Sequence, residues 1–128
     1  MTQQQEKRLL NAWLWNFHRT APQWKRVRLG PVPNPEWAKM YSVILRWADA
    51  VFIDDGKLHI VEAKISPDFG AIGQLLGYKQ AIEGTPEFDQ YKNYPVILIL
   101  LSQFPDLGVT ELASKFGIEH EVWNPEQK

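Results

Sequence analysis

The chain has 128 residues, no cysteine, and 14 basic against 15 acidic side chains, a formal net charge of −1. These figures exclude a disulfide framework and a thiolate metal site, and they leave no global positive field to attract nucleic acid. Any contact with DNA therefore has to use a local basic patch. With 45% hydrophobic residues, residues 1–128 are expected to form one globular domain able to bury a sheet on both faces. A cysteine-free chain fits a reducing cytoplasm. The polar start Met1–Glu6 lacks the apolar core of a signal peptide, and the longest apolar run, Pro95–Leu101, is far too short to span a membrane.

Residues 3–18 predict a helix, with Leu10, Trp13, Leu14 and Phe17 recurring at i, i+3, i+4 and i+7 as its apolar stripe. Trp15 falls on the opposite side of that wheel. It is expected to be partly covered by a loop, the alternative being an aromatic anchor at a subunit or ligand contact. Glu6 sits in the first turn, where it favours the helix dipole. Trp24–Leu29 predicts a strand carrying Lys25, Arg26 and Arg28, and the proline-rich Gly30–Asn34 a loop. Asn34-Pro35-Glu36 marks a helix start with Asn34 as N-cap, and that helix is expected to stop near Val43.

Residues 46–64 consist of two apolar runs flanking Asp55-Gly56, a dipeptide that favours the two-residue type I′ turn of a β-hairpin. Counting outward from that turn, Asp54 faces Lys57, Ile53 meets Leu58, Val51 meets Ile60 and Asp49 meets Glu62. Side chains alternate along a strand, so Asp49, Glu62 and Lys64 share one face, and Ala48, Ala50, Phe52, His59, Val61, Ala63 and Ile65 share the other. Opposed like charges destabilise a strand pair. Two opposed carboxylates with a lysine two residues on therefore suggest a hard-metal site with a cation beside it. His59 lies among core positions and is expected to be a core histidine with a satisfied hydrogen bond; His18 and His120 form no metal-ligand spacing.

Ser66–Gly70 is a turn into a helix over about Gly70–Glu83, on which Gln74 and Tyr78 stand one turn apart, and Gly84-Thr85-Pro86 ends it. Val96–Leu101 predicts a buried strand, Val109–Phe116 a short helix closed by Gly117, and Ile118–Trp123 a final strand. Strands separated by helices imply parallel pairing and right-handed crossovers. The pattern is that of a mixed α/β domain with a central sheet between two helical layers.

Asp49, then Glu62-Ala63-Lys64, then Gln74-Leu75-Leu76-Gly77-Tyr78 resemble the PD-(D/E)XK nuclease superfamily, the last stretch being similar to the Gln-xxx-Tyr motif of its RecB-like branch. Ala48 stands where the superfamily name has proline. The resemblance covers about residues 24–123. It implies a three-layer α/β/α restriction-endonuclease-like core with a mixed sheet (αβββαβ), and a Mg²⁺- or Mn²⁺-dependent deoxyribonuclease acting in DNA processing, repair or recombination. It also implies Asp49, Glu62 and the Ala63 backbone carbonyl as metal ligands, with Glu6 a further candidate, Lys64 and Gln74 as catalytic groups, and Tyr78 as a substrate-binding residue that reaches the DNA backbone and supports Gln74.

Phosphodiester hydrolysis fits the residue types. Mg²⁺ prefers oxygen ligands and usually takes only one or two protein carboxylates. Arg19, Lys25, Arg26, Arg28, Arg46 and Lys79 are candidate phosphate contacts. The small size fits a phage or mobile-element nuclease, and a symmetric substrate would call for a homodimer. Two other readings compete. One is a catalytically silent nuclease-fold module that binds nucleic acid or serves a structural role; the other is an unrelated α/β protein whose Glu-Ala-Lys is surface decoration.

Overall fold

The structure, a computed structural model, describes residues 2–30 and 46–126, the side chains of Thr2 and Arg46 excepted. The helix expected from Asn34 lies outside the described residues. The elements run α1 (Thr2–His18), β1 (Gln23–Leu29), β2 (Arg46–Asp54), β3 (Lys57–Lys64), α2 (Phe69–Ile82), a 3₁₀ segment (Pro86–Tyr91), β4 (Val96–Ser102), α3 (Leu107–Lys115) and β5 (Ile118–Val122). The 3₁₀ segment has no counterpart in the sequence reading. It seats Phe88 in the core and Trp24 against both Phe88 and Tyr91.

The five strands lie in the order β1-β2-β3-β4-β5. The first three are antiparallel, and β3, β4 and β5 are parallel, as the intervening helices require. α1 covers one face, where Leu9, Leu10, Trp13 and Leu14 pack on Ala50, Phe52, Val61, Ala63, Ile99 and Leu101. On the other face α2 and α3 bury Ala71, Ile72, Leu75, Tyr78, Val109 and Ala113 against Val51, Leu58, Ile60, Leu98 and Leu100. This is an α/β/α sandwich around a mixed sheet. Asp68 and Asp106 cap α2 and α3, accepting from Ala71 N and Val109 N at 2.9 and 3.1 Å, which satisfies helix-end donors that would otherwise be orphaned.

The stripe of α1 departs from expectation. Leu9 joins it, while Phe17 is 54% exposed and meets Trp123 edge to face. The buried apolar stripe thus ends at Leu14, and in the last turn it is His18, not Phe17, that packs on the sheet, against Phe52. Trp15 is 65% exposed rather than covered, with the Arg19 guanidinium 5.3 Å from its ring. His59 is stacked flat on Phe52 and His18 packs on that same ring. Both imidazoles leave Nδ1 without a hydrogen-bond partner. The Phe52 backbone hydrogen-bonds the His59 ring, so the satisfied bond expected there is met only in part. Burial lowers both pKa values. His120 instead bridges the Ser102 and Thr110 hydroxyls at 2.7 Å each, tying β5 to β4 and α3.

The hairpin turn is as its dipeptide dictates, with Asp55 and Gly56 at φ of 53° and 69° and the pairs Asp54↔Lys57, Ile53↔Leu58 and Val51↔Ile60 in register. A Cβ added at Gly56 would touch nothing within 4 Å, so Gly56→Ala should be limited to the conformational cost, about 1–2 kcal/mol. Chemical denaturation should show that loss with an unchanged denaturant slope.

Candidate active site

The site begins where the sheet stops being regular. The β2–β3 ladder runs from the turn to Ala50↔Val61 and ends there, one pair short of the expected Asp49↔Glu62. In its place the Asp49 carboxylate accepts the Ala63 N–H at 2.8 Å, so a side chain does the work of a strand carbonyl. On the other side of β2, Arg26 and Asp49 leave the β1–β2 ladder together, and pairing resumes in step at Val27↔Ala48. Arg26 has a φ of 51°, a left-handed conformation that costs a non-glycine residue about 1–2 kcal/mol. Side-chain alternation breaks at the same place. Ala48 packs with Val51 in the α2/α3 core, whereas Ala50 and Phe52 face α1, so Ala48 does not share the Ala50 face as simple alternation predicts. Local strand irregularities of this kind re-aim side chains beside functional sites.

Because β2 parts from β3 here, residues of both helical layers reach one opening. A cavity of about 710 Å³ is lined by Gln3, Gln4, Glu6, Lys7, Leu10 and Asn11 of α1, Lys25 and Arg26 of β1, Asp49, Glu62 and Lys64 of the hairpin, and Gln74 of α2. Glu6, Arg26, Asp49, Glu62, Lys64 and Gln74, separated by up to 68 positions in the chain, thus converge on one space. Arg28 and Lys79 are exposed and outside that lining. The Arg46 side chain lies outside the described residues. Lys7 and Asn11 escape a search for acidic and motif residues; their signal is helical periodicity, since both follow Gln3 and Gln4 on the polar side of α1.

Tyr78 sits beneath the site, not on its rim. It is 2% exposed, and its hydroxyl bonds Glu62 Oε1 at 3.1 Å and the Trp47 carbonyl at 2.8 Å. A hydroxyl between two acceptors fixes the carboxylate and the start of β2 relative to each other. Direct contact of Tyr78 with a substrate backbone is closed off by this burial.

The electrostatics follow from burial. Glu62, 5% exposed, has its pKa pushed up to about 8, first by desolvation and then by the neighbouring Asp49 charge, against the pull of Lys64. The Lys64 ammonium lies 3.8 Å from Glu62 Oε2. Desolvation also raises Asp49, while the Ala63 N–H, Lys64, a hydrogen bond with Glu62 and Arg26 act in the other direction. The two carboxyls therefore hold a proton between them near neutrality. Glu6 is raised by burial too, and its carboxyl feels Lys64 and the Ile65 N–H. Among the described residues no cluster of three or more His, Cys, Asp or Glu is arranged to cage a metal. A buried carboxylate pair open to a cavity nonetheless fits the donor set of a hard cation that keeps several waters.

This architecture is a restriction-endonuclease-like α/β fold. No protein-family model matches the chain, and no curated protein matches its sequence. Among solved structures it is similar to a repair endonuclease from Pyrococcus abyssi, at 17% identity and a TM-score of 0.57 over 93% of this chain. That match takes in 47% of the endonuclease, so the chain spans about half of that protein's length. No helix of the described residues is long and apolar enough to cross a membrane.

The raised Glu62 pKa fixes the sign of a pH effect. A folded-state value above the unfolded one contributes stability that is fully present below the usual 4.5 and is lost as pH rises through about 8. In a metal chelator the melting temperature should accordingly fall between pH 5 and about pH 8.5. Glu62→Gln should flatten that slope and melt higher than the parent at pH 8, and Asp49→Asn should do so to a smaller degree. Melting curves across that range check all three.

Proposed function

We propose that the chain is a metal-dependent nuclease that hydrolyses phosphodiester bonds of DNA. The observation that carries this reading is the hydrogen-bonded carboxyl pair of buried Glu62 and half-buried Asp49, with Lys64 3.8 Å from Glu62. A structural role would be served better by apolar residues, because burying like charges together destabilises the fold. Supporting it are the fold shared with the endonuclease and the order of the motif residues in the sequence.

Asp49, Glu62 and the Ala63 carbonyl would hold Mg²⁺ or Mn²⁺, and Glu6, on the α1 wall of the same cavity, would meet the ion's water shell and not the ion itself. When bound, such an ion acidifies water and neutralises charge on phosphoryl oxygens. The remaining steps belong to the chain. Deprotonation of the carboxyl pair readies its oxygens to ligate a cation. Lys25 and Arg26 on the rim accept the phosphate backbone. Lys64 stabilises charge that builds on the phosphoryl oxygens as a water oxygen attacks phosphorus and the P–O bond to the leaving oxygen breaks. Gln74 positions the attacking water or the substrate backbone from the α2 side. Tyr78 keeps Glu62 from swinging away, which preorganises the pair. A role in DNA processing, repair or recombination fits this chemistry, and a two-fold symmetric substrate would be met by a homodimer.

Lys64→Ala removes a transition-state charge but no ligand. It should lower the cleavage rate by about 10²-fold or more and leave divalent-cation binding intact or tighter. Asp49→Asn and Glu62→Gln should lose both. Cleavage of linear and circular DNA with Mg²⁺ or Mn²⁺, alongside cation titration, separates these outcomes. Cleavage by Lys64→Ala at the parent rate contradicts the mechanism.

DNA affinity should depend only shallowly on salt, with a slope of roughly a few phosphate contacts per chain, since the formal net charge is −1. Binding titrations over a series of salt concentrations give that slope directly. A slope equivalent to about ten contacts would place the main binding surface elsewhere.

A further inference from the structure

Trp47 stands two residues before Asp49 and is 49% exposed, at a place where the hydrophobic effect alone would have it covered. Its backbone is not free to drift, because the Tyr78 hydroxyl that holds Glu62 also binds the Trp47 carbonyl at 2.8 Å. Its ring is not alone either. The Arg26 guanidinium lies 5.2 Å from the indole centroid, within the range of a cation–π contact. Arg26 reaches that position from a left-handed backbone, with φ of 51°, while it also lines the cavity of the carboxylate pair. Strain kept at one residue is a pointer to use, since an unstrained strand would be more stable.

An exposed aromatic ring backed by an arginine that also lines a cavity with Lys25 and Lys7 is a combination that holds unpaired nucleotides. Every base has a π-face, and in a continuous duplex both faces are already stacked on neighbours. The cavity points the same way. Its volume of about 710 Å³ falls in the range of pockets that enclose a single small ligand, roughly 300–1,000 Å³.

We propose that Trp47, held by Arg26, is a stacking platform for an unpaired base next to the phosphate that is cut, so that the protein selects DNA with a single-stranded segment over continuous duplex. The adjacent phosphate in this statement rests on the nuclease reading; the platform itself is a binding property and is measurable without cleavage. Trp47→Ala alters only a half-exposed ring, and the carbonyl that Tyr78 uses is retained.

The test uses the full chain in chelator, where no hydrolysis occurs, with a fluorescently labelled single-stranded oligodeoxynucleotide and the duplex of the same sequence. The parent should bind the single strand more tightly. Trp47→Ala should weaken single-strand binding by about ten-fold or more, the scale of one lost base–aromatic stack, with duplex binding and melting temperature unchanged. Trp47→Phe should recover most of the loss, and a 2-aminopurine base quenched by the parent should stay bright with Trp47→Ala. With Mg²⁺ restored, the Trp47→Ala effect should appear in KM more than in kcat. Single-strand binding by Trp47→Ala at the parent affinity, or an equal loss on duplex, overturns the platform. If the parent cuts no DNA while the Trp47-dependent preference persists, the nuclease reading fails and the platform stands.

Discussion

Bringing two carboxylates out of water side by side is the constraint on which the rest of this molecule turns. At close range in a partly shielded environment two unit charges repel by several kcal/mol, and desolvation adds to that. Lys64 at 3.8 Å offsets part of it, as do the Ala63 N–H on Asp49 and the Tyr78 hydroxyl on Glu62. What remains unbalanced is held off by a proton in the free protein. That proton keeps the pair neutral enough to fold, and under the proposed function it is what a bound cation would replace. Fold and chemistry are linked at the level of one hydrogen ion.

The irregular strand is the means by which this arrangement is built. A regular β2 would pair Asp49 through its backbone on both sides. The ladder here gives up those pairs and lets the Asp49 side chain bond the neighbouring strand instead. That exchange opens the gap into which α1 and α2 both project side chains. The locally unfavourable choices, a left-handed Arg26, a broken alternation and a buried acid pair, all fall within a few residues of one another. The aspartate caps of α2 and α3 and the positive-φ hairpin turn, by contrast, follow local preference. Such a concentration of broken local rules is expected where function competes with stability.

That distribution also explains what could be read from the sequence. The hairpin register followed from Asp55-Gly56 and the period of two. The layers followed from helical stripes and from the parallel pairing that intervening helices demand. Asp49, Glu62, Lys64 and Gln74 were recognisable because their residue types and order suit one chemistry, and the structure places all four around one cavity. Less visible were features that depend on tertiary geometry. Nothing local says that the ladder stops before Asp49, that Tyr78 lies under Glu62, or that Lys7 overlooks the site. Phe17 satisfied the helical period yet lies largely exposed, because period identifies a face and not which of its residues pack on the sheet. His59 was expected among core positions and stacks there on the face of Phe52, with its Nδ1 left unpaired while the Phe52 backbone hydrogen-bonds the ring.

β1 is an outer strand of the sheet, and outer strands present unpaired backbone groups that invite other chains to add on. Lys25, Arg26 and Arg28 put three charges on its seven residues. The left-handed residue in its middle turns one peptide out of line, so an incoming strand would find no continuous row of donors and acceptors to pair with. A reversion to regular β geometry at this position would relieve the backbone and, at the same time, present a straighter edge for intermolecular sheet growth.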